Sequence, residues 1–326
     1  MARKGFAAAL AALLLTVGAA RAQDAAPDLR IALLPVLNTL PFYVAQAEGF
    51  YEDEGVSVEI VPFDSARDQQ IAVAAGEVDG LNTDLVVAAL LNLGAPVRVV
   101  RADPPATPFF AIVAGKDSGV AALDDLKGVA IAISGSSVIE YLTTELLRGA
   151  GFADEEIVYV EVPQIPVRVE LLAQGQVAAA TLPEPLTTLA TTIQGGTLVA
   201  DDSAAAFVPT VIVFRQDTLA AQPDAVRAFL RAYERAVAAL NTDAEAYRDV
   251  LIANIRVPEP LQATYPVPTF FAARVPTSEQ VSLVTDWMLE RGLLDAAPAY
   301  EDFVDASFLP EVLAPEATPE ATPEAG

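Results

Sequence analysis

A chain of 326 residues is long enough for one large or two medium domains, and its 53% hydrophobic content with positive mean hydropathy excludes global disorder. It has no cysteine and no histidine, which removes disulfides, thiolate catalysis, lipid attachment at an N-terminal cysteine, the commonest general base and the commonest metal ligand. A formal charge of −25 argues against nucleic acid or an anionic membrane surface as partner, because both demand clustered Lys and Arg.

The N-terminus reads as a secretory signal over residues 1–22. Arg3 and Lys4 form a basic start, Phe6 to Ala20 is rich in Ala and Leu, and Ala20-Arg21-Ala22 has the small-x-small form of a cleavage site. The competing reading is a retained anchor, but the apolar run is shorter than the roughly 20 residues of a spanning helix. Cleavage leaves 16 basic against 44 acidic residues, a balance of −28 that suits a secreted, solvated surface. Residues 23–28 read as a linker.

From there the same half-domain plan occurs twice. In the first copy, strands are predicted at 30–36, 56–61, 77–81 and 97–100, with helices between them that end on Gly49, Gly76 and Gly94. Asp103-Pro104-Pro105-Ala106-Thr107-Pro108 then interrupts the pattern. The second copy has strands at 109–114, 128–133, 158–162, 177–182 and 197–200. The copies share a Gly-Phe helix end (Gly49-Phe50, Gly151-Phe152), a proline closing the second strand (Pro62, Pro163), and an arginine five residues on (Arg67, Arg168). Strands alternating with helices of 10–15 residues predict a parallel sheet with right-handed crossovers in each copy.

Residues 208–214 read as a strand returning to the first lobe. Three scaffold helices follow: Pro223 to Leu240, amphipathic, then Ala244 to Ile255 and Ser278 to Arg291. The expected organisation is a discontinuous first lobe, 29–106 with 208–312, and a second lobe at 107–207. The repeat Pro-Glu-Ala-Thr over 313–326 is expected to be a disordered tail.

In α/β sheets, ligands bind beyond the carboxyl ends of strands, where helix N-termini offer free N–H groups. Small polar residues sit at those positions: Asn38 and Thr39, Asp64, then Asn82, Thr83 and Asp84 in the first copy, and Ser134, Ser136 and Ser137 in the second. Each is also a good helix cap, and Ser137 with Glu140 has capping-box spacing. Glu184 stands between two prolines, placed either for a ligand cation or for an arginine. Arg67 and Arg168 read as solvated first-turn charges within reach of an anionic ligand. Phe42, Phe63, Phe109 and Tyr141 read as core. No dinucleotide fingerprint, phosphate loop or metal loop is present, so no cofactor, no metal and no catalytic residue are expected.

Several segments carry a family resemblance: Leu40-Pro41-Phe42-Tyr43-Val44-Ala45-Gln46-Ala47-Glu48-Gly49-Phe50-Tyr51, Gly76-Glu77-Val78-Asp79-Gly80, Leu126-Lys127-Gly128-Val129-Ala130-Ile131 and Leu182-Pro183-Glu184-Pro185. With the signal they resemble the sulfonate/nitrate/taurine and thiamine-precursor substrate-binding proteins of ABC transporters over residues 29–310. The resemblance implies the α/β, two-lobed periplasmic-binding-protein fold (type 2) with a ligand cleft between lobes. It implies a monomeric, extracytoplasmic protein that binds a small molecule and delivers it to a membrane permease, not an enzyme. It carries binding roles onto Asn38, Thr39, Asn82, Thr83, Ser134, Ser136, Ser137 and Glu184, with Asp64, Asp84 and Thr210 secondary. Two departures from the family stand out: without cysteine the chain is not a lipoprotein, and without histidine it lacks a residue that pyrimidine-synthesising relatives use. The alternatives left open are a receptor for a TRAP-type secondary transporter and a vitamin-precursor enzyme on the same fold.

Overall fold

The computed structural model describes residues 27–310; the predicted signal segment and the Pro-Glu-Ala-Thr repeat lie outside the described residues. In the first part of the chain come β1 (Leu29–Leu33), α1 (Leu40–Ala47), α2 (Phe50–Asp53), β2 (Val58–Pro62), α3 (Ala66–Ala74), β3 (Gly80–Asp84), α4 (Leu85–Leu91) and β4 (Val97–Ala102). Next are β5 (Phe110–Ala114), β6 (Ala130–Ile133), α5 (Val138–Gly149), β7 (Val158–Glu161), α6 (Ile165–Ala173), β8 (Ala179–Pro183), α7 (Leu186–Thr188) and β9 (Thr197–Asp201). The chain continues with β10 (Thr210–Arg215), α8 (Gln216–Ala221), α9 (Pro223–Thr242), α10 (Arg248–Asn254), α11 (Ser278–Glu290) and α12 (Tyr300–Phe303).

Two five-stranded sheets result, in the orders β2-β1-β3-β10-β4 and β7-β6-β8-β5-β9. The two orders are the same topology. In each, three strands pair in parallel (β1 with β2 and β3; β6 with β7 and β8), and the strand by which the chain enters from the other half (β10 or β5) lies between the last of these and the edge strand (β4 or β9). The crossover strands run antiparallel to both neighbours, so the sheets are mixed and the all-parallel expectation is corrected. The reason is connectivity: β5 and β10 come from the opposite lobe and need no helical crossover to enter in the reverse direction.

The third strand also starts later than its sequence suggests, at Gly80 instead of residue 77. Gly76 takes a left-handed turn (φ +72°) that uses up Glu77 and Val78. At Gly80 a side chain is excluded, because a Cβ would lie 2.7 Å from the Phe214 ring on the adjacent strand. The shift places Asn82, Thr83 and Asp84 on the strand end itself. In register, Thr210 of β10 stands opposite Asp84. A delay of two residues occurs in the second lobe, where β8 begins at Ala179 and carries Leu182 and Pro183. The predicted helix at 244–255 is a 3₁₀ turn at Ala244–Tyr247 followed by α10.

The first lobe is held by an aromatic cluster. Phe229 of α9 stacks on Tyr51 at 5.6 Å, meets Phe214 edge-on at 5.4 Å, and lies 5.9 Å from Phe42. Phe42 in turn meets Tyr233 edge-on at 4.9 Å. All five rings are buried, so α1, α2, β10 and the amphipathic α9 form one core. Arg101 of β4 is buried beside it. It pairs with Glu234 of α9 at 2.5 Å, donates to the carbonyls of Ala102 and Phe271, and lies over the Tyr233 ring.

The lobes touch along one side. Tyr141 of α5 meets Trp287 of α11 edge-on at 5.5 Å. Arg291 pairs with Glu140 at 2.6 Å, and Arg148 with Glu290 at 3.2 Å.

Candidate ligand-binding cleft

The carboxyl ends of β1, β3, β6 and β8 face one another across the line between the lobes. There they enclose a cavity of about 60 Å³. From the first lobe it is lined by Asn38, Gln69, Asn82, Thr83, Asp84 and Thr210; from the second by Phe109, Phe110, Ser134, Ser137, Pro163 and Arg168. It continues past Val36 and Ile165 into an apolar groove of about 320 Å³, with Asp64 and Arg256 at its edge.

The first-lobe wall is built from three elements. Asn38 lies in the 3₁₀ turn Leu37–Thr39 that leaves β1. Asn82, Thr83 and Asp84 end β3, and Asp84 also caps α4 by accepting from the Val87 amide at 3.0 Å. Burial pushes the Asp84 carboxyl up to about 6, against the stabilising amides of Val87, Val138 and Val86. Val138 is the first residue of α5, so this carboxylate is held partly by the N-terminus of a helix in the other lobe.

Behind the wall, Asn38 Nδ2 donates to Asn82 Oδ1 at 3.3 Å, and Asn82 Nδ2 donates to Asp103 Oδ2. Asp103 is fully buried. Desolvation pushes it up to about 7, while the nearby Arg101 charge and hydrogen bonding pull the other way.

On the second-lobe wall, Ser137 caps α5 by accepting from the Ile139 amide at 3.2 Å, and its hydroxyl donates to the Ser134 carbonyl. The expected capping box is corrected. The Glu140 carboxylate accepts from the Ser136 amide at 2.7 Å, one residue earlier, and its other oxygen holds Arg291. Arg168 is 0% exposed, which corrects the expectation of a solvated charge. Its guanidinium lies between the segment after β7 and β8, where Nε donates to Val162 O at 3.0 Å, one Nη to Thr181 O at 2.7 Å and the other to Pro163 O at 3.4 Å. A guanidinium has five N–H donors, so two remain. Among the described residues no carboxylate forms an ion pair with it, and desolvation lowers it to about 10 against a distant pull from Glu161.

Five buried side-chain polar atoms on the cavity wall have no hydrogen-bond partner among the described residues: Asn38 Oδ1, Gln69 Oε1 and Nε2, and the hydroxyls of Thr83 and Thr210. Each such group costs about 1–3 kcal/mol when buried and unmet. Their concentration on one cavity marks a surface complementary to a polar guest.

The structure therefore brings together Asn38, Asn82, Thr83, Asp84, Ser134, Ser137 and Thr210. It does not bring Thr39, Asp64, Ser136 or Glu184 to the cavity. The Thr39 hydroxyl is turned to the carbonyls of Leu34 and Val36. Asp64 pairs with Arg256 on the outer groove. Ser136 takes a left-handed turn (φ 53°) that hands its amide to Glu140. Glu184 accepts from the Thr188 amide and hydroxyl at 3.2 and 3.0 Å, and from the Tyr265 hydroxyl at 3.0 Å. Arg67 is exposed. Sequence reasoning missed Gln69 and Asp103. Gln69 is buried although it stands in the first turn of a polar helix, and only the absence of any partner distinguishes it.

The model of the NMT1/THI5-like family matches residues 37–246. No curated protein matches the chain in sequence. Among solved structures, the chain is similar to the alkanesulfonate-binding protein SsuA of Xanthomonas axonopodis pv. citri bound to MOPS (20% identity, 85% of this chain and 97% of that one, TM-score 0.71). It is similar to the periplasmic nitrate-binding protein NrtA of Synechocystis PCC 6803 (15% identity, 86% of each chain, TM-score 0.70). It is also similar to the desulfurization enzyme DSZB (16% identity, 86% and 96%, TM-score 0.64). The fold is that of the periplasmic binding proteins, with mixed sheets in two lobes.

Proposed function

Because the chain belongs to the NMT1/THI5-like family, we propose that it is an extracytoplasmic solute-binding protein that captures a small organic anion or zwitterion between its lobes and presents the closed form to the permease of an ABC importer. The observation that carries this reading is the interlobe cavity, where five unpartnered polar atoms and a buried guanidinium without a counter-ion converge. A guest that meets those groups recovers the desolvation they suffer. A guest that does so only when both walls are in place favours the closed state, which is what transport coupling requires. The sulfonate and nitrate binders among the structural neighbours give the reading further support.

In this proposal the lobes are 29–106 with 208–312, and 107–207, and they move by bending near 103–110 and 204–210. The Tyr265–Glu184 hydrogen bond and the Arg291–Glu140 and Arg148–Glu290 pairs are the contacts that form on closure. Residues 1–22 direct export and are removed. The protein binds without turning over its ligand, a reading supported by the lack of histidine and cysteine in the sequence.

Native mass spectrometry of the purified protein is the test. A co-purified small molecule in one-to-one ratio, lost on Arg168→Met, is the expected result. A protein that carries nothing and shows no thermal shift with nitrate, taurine, alkanesulfonates, amino acids or pyrimidines refutes the receptor reading. Consumption of the bound compound would favour the enzyme alternative, to which the DSZB fold gives some support.

A further inference from the structure

The amides of Asn38 and Asn82 are oriented by a group that never reaches the cavity. An ionised carboxylate only accepts hydrogen bonds. Asp103 therefore requires the NH₂ of Asn82 to face it, which turns Asn82 Oδ1 toward Asn38. That oxygen in turn requires the NH₂ of Asn38, which leaves Asn38 Oδ1 as the atom with no partner on the cavity wall. The relay runs through three buried side chains, 0 to 3% exposed, so solvent does not relax it. Beside Asn38 on the same wall stands the Asp84 carboxylate, also an acceptor when ionised. The opposite wall carries Arg168, which has donors only. The first-lobe side thus carries fixed acceptors at Asn38 Oδ1 and Asp84 beside the adaptable Gln69 amide and threonine hydroxyls, and the second-lobe side carries Arg168, which only donates.

Resting on the receptor reading, we propose that Asp103 is a specificity-determining positioning residue: through Asn82 and Asn38 it makes the first-lobe wall an acceptor surface, so that the cleft selects a small zwitterion with its N–H-bearing cationic end toward Asn38 and Asp84 and its anionic end toward Arg168. Gln69, with both ends of its amide unpartnered, and the hydroxyl of Thr83 serve either polarity. A simple anion satisfies Arg168 but sets a lone pair against Asn38 Oδ1 and Asp84. An amine without an acid leaves the guanidinium uncompensated, the costlier failure.

The test is calorimetric titration at pH 8, where Asp103 is ionised, with glycine, β-alanine and taurine against nitrate, ethanesulfonate and ethylamine. The wild-type chain is expected to bind at least one zwitterion at least 10-fold more tightly than any of the single-charge probes. Asp103→Asn can present either a donor or an acceptor to Asn82, so both amides are free to turn over. In that variant the preference is expected to fall below 3-fold, chiefly because anions bind better. Asn82→Ala breaks the relay without changing charge and is expected to do the same, so a fold defect in one variant does not decide the matter. Equal binding of zwitterions and anions by the wild-type chain overturns the ligand class. Undiminished zwitterion preference in both variants overturns the relay. If no probe binds but mass spectrometry finds another small molecule, this inference fails and the receptor reading stands; if neither finds a ligand, both fail.

Discussion

Two buried arginines, one in the first-lobe core and one on the cleft wall, are compensated very differently. Arg101 has a carboxylate at 2.5 Å, two carbonyl acceptors and an aromatic face. Arg168, just as deeply buried, has three carbonyls and no counter-ion among the described residues. The first arrangement is what folding selects, because a buried charge is tolerable when paired. The second leaves part of the interaction unmade inside the folded chain. Under the proposed receptor reading, the difference is that of a binding site, whose polar groups are desolvated in advance and matched to something outside the chain.

Four measurements probe this difference. The largest effect is expected from Arg101→Met, which strands Glu234 and should cost about 3–5 kcal/mol in urea unfolding, with Glu234→Met added on top restoring much of it. Arg168→Met strands no carboxylate. It should cost less than Arg101→Met, because the three carbonyls that lose donors, at about 1–3 kcal/mol each, are set against the removal of an uncompensated buried charge, while ligand affinity falls about 100-fold or more. An equal stability loss at the two sites would erase the distinction drawn between them.

The pH dependence comes next. Asp84 and Asp202 are pushed up to about 6 and Asp103 to about 7, in each case chiefly by desolvation. Between the unfolded carboxyl value of about 3.9 and these raised values, the folded chain binds more protons than the unfolded chain. Their contribution to stability therefore falls as pH rises through that window and is constant above it. Urea midpoints of the ligand-free protein should be higher at pH 5.5 than at pH 8, and Asp103→Asn should flatten the slope. A midpoint that rises with pH would contradict the burial of these groups.

A smaller effect of opposite sign is expected at Thr83. Its hydroxyl is buried without a partner, so the near-isosteric Thr83→Val should stabilise the ligand-free protein by about 1 kcal/mol while weakening binding. The same change at Thr143, whose hydroxyl contacts Ile139 O and the Thr181 hydroxyl, should destabilise. Differential scanning calorimetry of the two variants side by side gives the sign directly. The smallest effect belongs to Asp64→Asn on the outer groove. Its pair with Arg256 is about half exposed on each side, so less than about 1 kcal/mol is expected.

Glu184 and Gln69 show how far the sequence carried and where it stopped. A carboxylate between two prolines is conspicuous in sequence, yet its oxygens are taken by Thr188 and by Tyr265, 81 residues away. Asp64 is likewise claimed by Arg256, 192 residues away. Gln69 has nothing in its neighbourhood to mark it, yet it is fully buried at the cavity with both amide ends unmet. In each case the deciding partner, or its absence, comes from a segment that only the assembled lobes bring near.

What the sequence determined by itself was local and repetitive. Alternating apolar runs, left-handed glycines and strand-closing prolines specify α/β units, and their recurrence specifies two lobes of one topology, because these signals act over a few residues. Polar residues at strand ends, as at Asn82-Thr83-Asp84 and Ser134-Gly135-Ser136-Ser137, marked the cleft for the same reason. The tertiary structure alone decided the direction of β5 and β10, the three-residue delay of β3 against Phe214, and the division of polar side chains into those the scaffold consumes and those it leaves for a guest. Hydrogen bonds act over about 3 Å between residues that stand tens to hundreds of positions apart, so their pairing cannot be read from neighbours in the chain.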